Sequence, residues 1–179
     1  MRHVMLDLET FGLKPGHMIR SVGAVEFDIV TGNLGNEFYC NVDEKSCKKL
    51  KMTKDAETEA WWNDPKKSEA NAQLLVDPLP LPVVNERFVK FFQGSGAEFL
   101  WSQGSNFDGV LYEHALLLTG HKPPWKFFKA FDTRTAYFMA DLNTFTIPRN
   151  GTYHNALDDA KHQAMCLHRS YLKIQGRIL

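Results

Sequence analysis

The first residues that could do chemistry are two carboxylates, Asp7 and Glu9, at alternate positions of the apolar run at residues 4–10. Side chains alternate faces along a strand, so both acids would point to one face and the leucines between them to the other. A buried carboxylate pair is costly because its members repel each other and lose hydration, and a divalent cation that prefers oxygen ligands offsets both costs. The alternative is an edge strand with two solvated acids on its open face.

Three further groups stand where predicted buried elements meet loops. These are Asp108, His154 and Asp159. Four carboxylates and one histidine are the groups that two-metal phosphoryl transfer uses, with the cations about 4 Å apart. Two Mg²⁺ ions, with Mn²⁺ as a substitute, suit such oxygen ligands. A histidine, with an ordinary pKa of about 6.5, can take a proton from the attacking water; His154 taken alone could equally be a loop histidine without a role.

The elements that must position these groups begin with a strand meander. We predict strands at residues 4–10, 19–28 and 37–42, the last two joined by a hairpin turn at 31–33. A short buried strand at 98–101 leads to a helix at 107–119, which places Asp108 in a first helical turn. An acid there is also explained by the helix dipole. A last helix at 155–175 has small residues on one face and carries Asp159 near its beginning.

The remaining segments are read from caps and spacing. Thr53 is expected to cap a helix that carries Trp61 and Trp62, and Gly94 to end a helix at residues 83–92. A further short helix is expected at 68–75, and Asp132 is expected to cap a helix that runs to about residue 140. The aromatic stretch at 127–131 suggests a buried strand or turn. The two tryptophans could pack in the core or form a rim on which nucleobases stack.

This order of elements predicts an α/β protein with a mixed β-sheet flanked by α-helices. The 179 residues fit a single domain, residues 1–179. The composition, 44% hydrophobic and 23% charged, is that of a globular protein, and no segment has the apolar length of a membrane span. Three cysteines without metal-ligand spacing and the absence of a signal-peptide pattern favour a reduced, cytoplasmic location.

Charge excludes a strong general attraction to polyanions. Lysine plus arginine equals aspartate plus glutamate at 21 each, so any nucleic acid must be held locally. Candidate patches lie at Lys45–Lys54, at Lys66 and Lys67, and at Lys122–Lys129, although each could also be a solvated surface.

Three segments carry a resemblance to a known family. They read DLETFG at residues 7–12, SNFD at 105–108 and HNALDDA at 154–160. In this order they resemble the three motifs of the DEDDh superfamily of 3′ to 5′ exonucleases. Trp61-Trp62, Asn106-Phe107-Asp108 and Pro124-Trp125 further resemble the small phage and prophage exonucleases and the mycobacterial-type exoribonucleases.

The resemblance implies a ribonuclease H-like fold and a two-metal exonuclease that releases nucleoside monophosphates from 3′ ends. Asp7, Glu9 and Asp159 would bind the catalytic metal, and Asp7 would bridge to a second metal. Asp108 would act through that second metal and its waters. His154 would be the general base.

By the same resemblance, the terminal nucleotide would be bound by five residues around the first two motifs. These are Thr10, Phe11, Gly12, Asn106 and Phe107. Phe11 or Phe107 would serve as a wedge or stacking surface. Asp158, one residue before the expected ligand, is rotated from it by about 100° on a helix and would support the ligands or offset the helix dipole.

The implied substrate is the 3′ end of single-stranded nucleic acid. The phage resemblance favours DNA, and an exoribonuclease with the same site is the alternative. A third hypothesis is a non-catalytic nucleic-acid-binding module on the same scaffold. Because ribonuclease T-like relatives are dimers, a homodimer is also expected, with the Trp61-Trp62 region or the lysine-rich segment as its interface; no membrane partner is expected.

Overall fold

The computed structural model describes residues 2–104 and 106–178. Ser105, the first residue of the second motif, lies outside the described residues, as do both ends of the predicted domain. The strands are β1 (His3–Thr10), β2 (Ile19–Phe27), β3 (Leu34–Asn41), β4 (Phe99–Ser102) and β5 (Ala130–Asp132). The helices are α1 (Glu44–Lys49), α2 (Ala56–Trp62), α3 (Ser68–Gln73), α4 (Leu81–Ser95), α5 (Asp108–Leu118), α6 (Thr133–Met139) and α7 (Ala156–Ile174).

The strands form one mixed sheet in the order β3-β2-β1-β4-β5. The meander β1 to β3 is antiparallel, whereas β4 pairs parallel with β1 and β5 parallel with β4. The strand that carries the two acids is therefore central. Its pairing with β4 covers only the first part of β1 and ends at Met5 opposite Trp101.

Each face of the sheet is covered by its own hydrophobic core. Val4, Leu6 and Leu8 point into a core shared with α4 and α5. Met5 points to the other face, where α6 and α7 pack. The alternation along β1 thus has the predicted sense, and the side of the sheet that faces α7 also receives Asp7 and Glu9.

The beginning of α7 lies in direct contact with the sheet at Gly23. A Cβ atom at that residue would come within 2.2 Å of the Ala156 carbonyl carbon and the Leu157 nitrogen. Gly23 is also the β2 partner of Asp7. The absence of a side chain at residue 23 therefore lets the first turn of α7 approach the strand position that carries Asp7.

Three local predictions were wrong. The cap of α2 is Asp55, whose carboxylate accepts from the Thr58 nitrogen, and not Thr53. Helix α4 runs past Gly94 to Gly96, because Gly96 adopts the left-handed conformation (φ +64°) that ends a helix. The segment at 127–131 does form a turn and a strand, but it is not buried as expected: Phe127, in the turn ahead of β5, is 84% accessible, and Phe131, on the edge strand β5, is 40% accessible.

Other boundaries agree with expectation. Asp132 caps α6 and Asn155 caps α7, each by accepting from backbone N–H groups of the first turn. A helix at Glu44–Lys49, capped by Asp43, had not been expected. Among the described residues, no helix combines the length and the apolar character that a membrane span needs.

Candidate active site

Strand β1 delivers Asp7 and Glu9 into a cavity of about 420 Å³ between the sheet and the first turns of α7. Asp159 and Gln163 of α7 and the segment from Thr144 to His154 form its other walls. Four of the five predicted catalytic residues line this one cavity. They are Asp7, Glu9, His154 and Asp159.

The fifth residue, Asp108, is buried beneath the cavity with 1% of its surface exposed. Because β4 leaves β1 unpaired beyond Met5, the Leu8 backbone nitrogen needs another acceptor, and it donates to Asp108 Oδ1 at 3.2 Å. The first turn of α5 thus supplies the hydrogen-bond acceptor that β4 does not provide at Leu8. This contact places the Asp108 carboxylate directly beside the Asp7–Glu9 strand.

Helix α7 contributes two residues to the site, Asp159 and, one turn later, Gln163. Asp159 forms an ion pair with the Arg149 guanidinium, and its side chain is 15% exposed. Gln163 Nε2 donates to Asp7 Oδ1 at 2.7 Å. Residues four apart lie on one helical face, so the Asp159 side of α7 also orients the Asp7 carboxylate.

His154 immediately precedes the α7 cap in a left-handed backbone conformation, φ +63°. The Lys67 ammonium lies 3.3 Å from its Nε2, and the Trp61 ring stands edge-on at 4.8 Å between centroids. Burial, together with the Lys67 charge, lowers the pKa of His154. The imidazole is therefore neutral at pH 7 and able to accept a proton.

The pKa values of the four carboxyl groups are raised, whereas that of His154 is lowered. Burial, with the charges of the neighbouring acids, raises the pKa of Asp7 and of Glu9 well above their ordinary values. Burial raises the pKa of Asp108 to about 7, despite donors such as the Leu8 nitrogen. Burial also raises the pKa of Asp159, against the influence of Arg149. The cluster holds more negative charge than the protein around it compensates.

A divalent cation fits this arrangement. Ligand atoms of Glu9, His154 and Asp159 all lie within 4.8 Å of one another, and the Asp7 carboxylate lines the same cavity. Oxygen donors are what Mg²⁺ and Mn²⁺ prefer. Asp7, Glu9 and Asp159 would hold such an ion, and His154 is near enough to be either a ligand or a base.

Metal binding should release protons. A bound cation favours the ionised form of the acids around it. Burial raises the pKa of Asp108 to about 7, so this carboxyl has a proton to lose near pH 7, and burial shifts the pKa of Asp7 and Glu9 in the same direction. We expect Mn²⁺ affinity, measured by calorimetry, to rise about tenfold per pH unit between pH 6 and 7 for each proton released. Buffers of different ionisation enthalpy count the protons directly. Affinity that is independent of pH in this range would contradict the assigned cluster.

The same pKa shifts act on stability. The folded-state pKa of Asp108, about 7, exceeds its value in an unfolded chain, so the folded state binds more protons between the two values. This carboxyl therefore costs the metal-free protein stability progressively as the pH rises towards 7. A bound cation would remove that cost.

The residues expected to bind the terminal nucleotide separate into two groups. Thr10 and Phe107 line a second cavity of about 380 Å³, which shares Leu8 and Glu9 with the first cavity. Phe11 is buried in the core beneath the Arg20 guanidinium (4.5 Å). Its ring is not free to act as a wedge, and Phe107 is the one of these two rings that lines a cavity.

The other two residues of that set lie outside both cavities. Gly12 contributes a backbone carbonyl that accepts from Thr10 Oγ1 at 2.7 Å. Asn106 is exposed. Both tryptophans line the second cavity. They differ in exposure, because Trp62 is buried and donates its Nε1–H to the Thr10 carbonyl, whereas Trp61 is 43% exposed.

Sequence reasoning did not connect three side chains with the cluster that they contact, although Lys67 belongs to a patch named as a candidate for holding nucleic acid. These are Gln163, Arg149 and Lys67. Gln163 could have been found, since it lies one helical turn after Asp159. The neighbour of that acid, Asp158, accepts from the Thr152 nitrogen at 2.9 Å and so holds the loop that carries His154.

A comparison with protein families gives one match, which covers nearly the whole chain. The family described as the Rv2179c-like 3′-5′ exoribonuclease domain matches residues 2–171. A comparison with curated proteins gives no match.

Solved structures share the architecture at low sequence identity. The nuclease domain of 3′hExo, a DEDDh family member bound to rAMP, is 14% identical over 93% of this chain and 90% of its own, with a TM-score of 0.62. Exonuclease X in complex with 5′ overhanging duplex DNA is 15% identical over 97% and 93%, with a TM-score of 0.58. A 3′-exonuclease recognising the histone mRNA stem-loop is 13% identical over 93% and 80%, with a TM-score of 0.59. The predicted α/β, ribonuclease H-like fold is confirmed.

Proposed function

This chain belongs to the Rv2179c-like 3′-5′ exoribonuclease domain family, within the DEDDh exonuclease superfamily, and from that premise we propose a metal-dependent 3′ to 5′ exonuclease that uses the Asp7 cavity. The observation that carries the proposal is the meeting of separated acids at one place. Asp7 and Glu9 on β1, Asp108 beneath them and Asp159 on α7 surround a space that His154 also borders. The unmet charge of this cluster supports a role in binding cations.

The proposed reaction is hydrolysis of the last phosphodiester bond. His154 takes a proton from water while the water oxygen bonds to phosphorus. The bond from phosphorus to the 3′ oxygen of the preceding nucleotide breaks, that oxygen takes a proton from solvent, and a nucleoside 5′-monophosphate leaves. Bound Mg²⁺, two ions in our proposal with Mn²⁺ as substitute, supplies Lewis-acid activation of water and offsets charge on the phosphoryl oxygens.

The protein side chains have separate tasks in this reaction. Asp7, Glu9 and Asp159 bind the cations, and Asp108 adds negative charge from below. Gln163 fixes the Asp7 carboxylate through its 2.7 Å hydrogen bond. Burial and the Lys67 charge lower the pKa of His154 and so keep its imidazole neutral, as a general base must be before the reaction.

The second cavity is the proposed site of the terminal nucleotide. It is continuous with the Glu9 carboxylate and presents the exposed Trp61 ring and the Phe107 ring as flat apolar surfaces. Aromatic rings accept any nucleobase by stacking. Thr10 also lines this cavity.

Replacing Trp61 by alanine should weaken substrate binding. A stacked base contributes about 1–3 kcal/mol, so we expect KM to rise about tenfold or more while Trp61→Phe stays near wild type. Phe138→Ala, which removes an exposed ring that lines neither cavity, is the matched control. Steady-state kinetics on a short labelled oligonucleotide measures the effect. If KM stayed unchanged in Trp61→Ala, the base would have to bind elsewhere.

The polymer is the open part of the proposal. Resemblance to phage exonucleases favoured DNA, whereas the description of the matched family names an exoribonuclease and so favours RNA. Discrimination depends on whether the pocket accepts a 2′-hydroxyl. We therefore propose single-stranded 3′ ends as the substrate class and RNA as the first polymer to test.

The experiment compares RNA and DNA strands of equal length and sequence, labelled at the 5′ end. We expect metal-dependent shortening from the 3′ end, with nucleoside monophosphates as product and full inhibition by a chelator. The faster polymer identifies the preference. Binding of both strands without shortening of either would favour the non-catalytic binding module instead.

Three broader expectations remain proposals. We propose that residues 1–179 act as one exonuclease domain, which the match over residues 2–171 supports. We also retain the expected homodimer and the cytoplasmic location. Light scattering on the purified protein tests the homodimer through its mass, for which one chain contributes 20.5 kDa.

A further inference from the structure

Arg149 forms an ion pair with Asp159, which is a ligand in the proposed metal site. Its Nη2 pairs with Asp159 Oδ1 and also donates to the Thr152 carbonyl at 3.2 Å. The guanidinium lies 4.2 Å from the centroid of the Tyr153 ring, and its side chain is only 14% exposed. The residue also lines the cavity that contains Asp7 and Glu9.

This guanidinium is only partly satisfied. Arginine has five N–H donors, and the Nε–H of Arg149 is buried without a hydrogen-bond partner among the described residues. A buried donor without an acceptor is costly. The ion pair with Asp159 therefore leaves donor capacity unused at the edge of the catalytic cavity.

The Asp159 carboxylate cannot bind a divalent ion and the Arg149 guanidinium equally well at the same time. A divalent ion bound by Asp159 would share that carboxylate with the guanidinium and repel it. Arg149 would then leave Asp159, and its position in the cavity wall keeps the released guanidinium beside the proposed site of hydrolysis. A guanidinium presents paired N–H groups that match the oxygens of a phosphate.

We propose that Arg149 is the phosphate-binding residue of this site and that it pairs with Asp159 until a divalent cation displaces it. The inference rests on the proposed metal-dependent function. It makes the anion site depend on the cation site, so metal and phosphodiester bind cooperatively. It also gives the metal-free protein a counter-charge for the largely buried Asp159 carboxylate.

The cation half of the inference is tested without turnover. Mn²⁺ is titrated calorimetrically into metal-free wild type, Arg149→Gln and Arg149→Lys. We expect Arg149→Gln to bind Mn²⁺ about tenfold more tightly, because a competitor for Asp159 is gone, and Arg149→Lys to fall between. Arg169→Gln, which removes an exposed arginine from the far part of α7, controls for the change in net charge and should match wild type.

The anion half uses the reaction product. Adenosine and deoxyadenosine 5′-monophosphate are titrated into the Mn²⁺-loaded proteins. We expect the tighter of the two to lose about tenfold in affinity in Arg149→Gln, part of which Arg149→Lys restores. Thermal melting with chelator present verifies that each variant folds.

The outcomes separate this inference from the function on which it rests. Equal or weaker Mn²⁺ binding by Arg149→Gln would overturn the competition, and undiminished monophosphate binding would overturn the phosphate role, with the exonuclease proposal standing in both cases. A wild-type protein that fails to bind Mn²⁺ would contradict the metal-dependent function and this inference together.

Discussion

Replacing Asp7 by asparagine should lower kcat/KM about a thousandfold or more, because several kcal/mol of transition-state stabilisation depend on correctly bound cations. The fold should survive. Asparagine has nearly the same shape and can still accept from Gln163 Nε2. Since burial and neighbouring acids raise the pKa of Asp7, loss of its charge relieves a repulsion in the metal-free protein.

Two measurements separate this result from unfolding. Thermal melting with chelator should give a midpoint for Asp7→Asn that equals or exceeds that of wild type, and Mn²⁺ titration should show weakened binding. Asp77→Asn is the matched control, because it removes an exposed carboxylate and asparagine tolerates the left-handed backbone found there. Activity near the wild-type level in Asp7→Asn would show that the catalytic centre lies elsewhere.

Replacing His154 should lower kcat by about 10²–10⁴, the usual contribution of a general base. Asparagine is the better replacement, since it tolerates the left-handed conformation at residue 154 more readily than alanine does. The expected signature is loss of turnover with Mn²⁺ affinity within a few-fold of wild type. KM should change little.

Loss of Mn²⁺ affinity in the same variant would instead identify His154 as a metal ligand. Ligand atoms of His154, Glu9 and Asp159 lie within 4.8 Å of one another, so His154 is also placed to bind a metal. A large fall in Mn²⁺ affinity in His154→Asn would make the imidazole a ligand. The search for a base would then move to another group that borders the cavity.

Local patterns in the sequence accounted for the parts of the site that lie along single elements. Alternation in β1 placed Asp7 and Glu9 on one face, Asp132 caps α6 as predicted, and α7 begins where the last helix was expected. Periodicity and capping depend on near neighbours in the chain, which is why they are visible without a structure. The mixed α/β fold followed from the order of such elements.

The contacts that complete the site join distant segments, and a local pattern could at most have marked Gln163, one helical turn after Asp159, without showing its partner. Lys67 meets His154 across 87 residues, and Gln163 meets Asp7 across 156. The misplaced boundaries have a different cause. Gly94 and Gly96 both could end α4, and only the backbone conformation of Gly96 decides between them.

The close contact at Gly23 has a consequence for how mutations reach the reaction. Packing errors among core side chains can relax through new rotamers, but the main chain of β2 and the first turn of α7 have no side chain between them to give way. The distance between the acids on β1 and Asp159 is therefore set by direct backbone contact between β2 and the first turn of α7. A methyl group at residue 23 would push α7 away from the sheet and so move Asp159 away from Asp7 and Glu9. Many larger side-chain changes in either core would leave that distance unchanged.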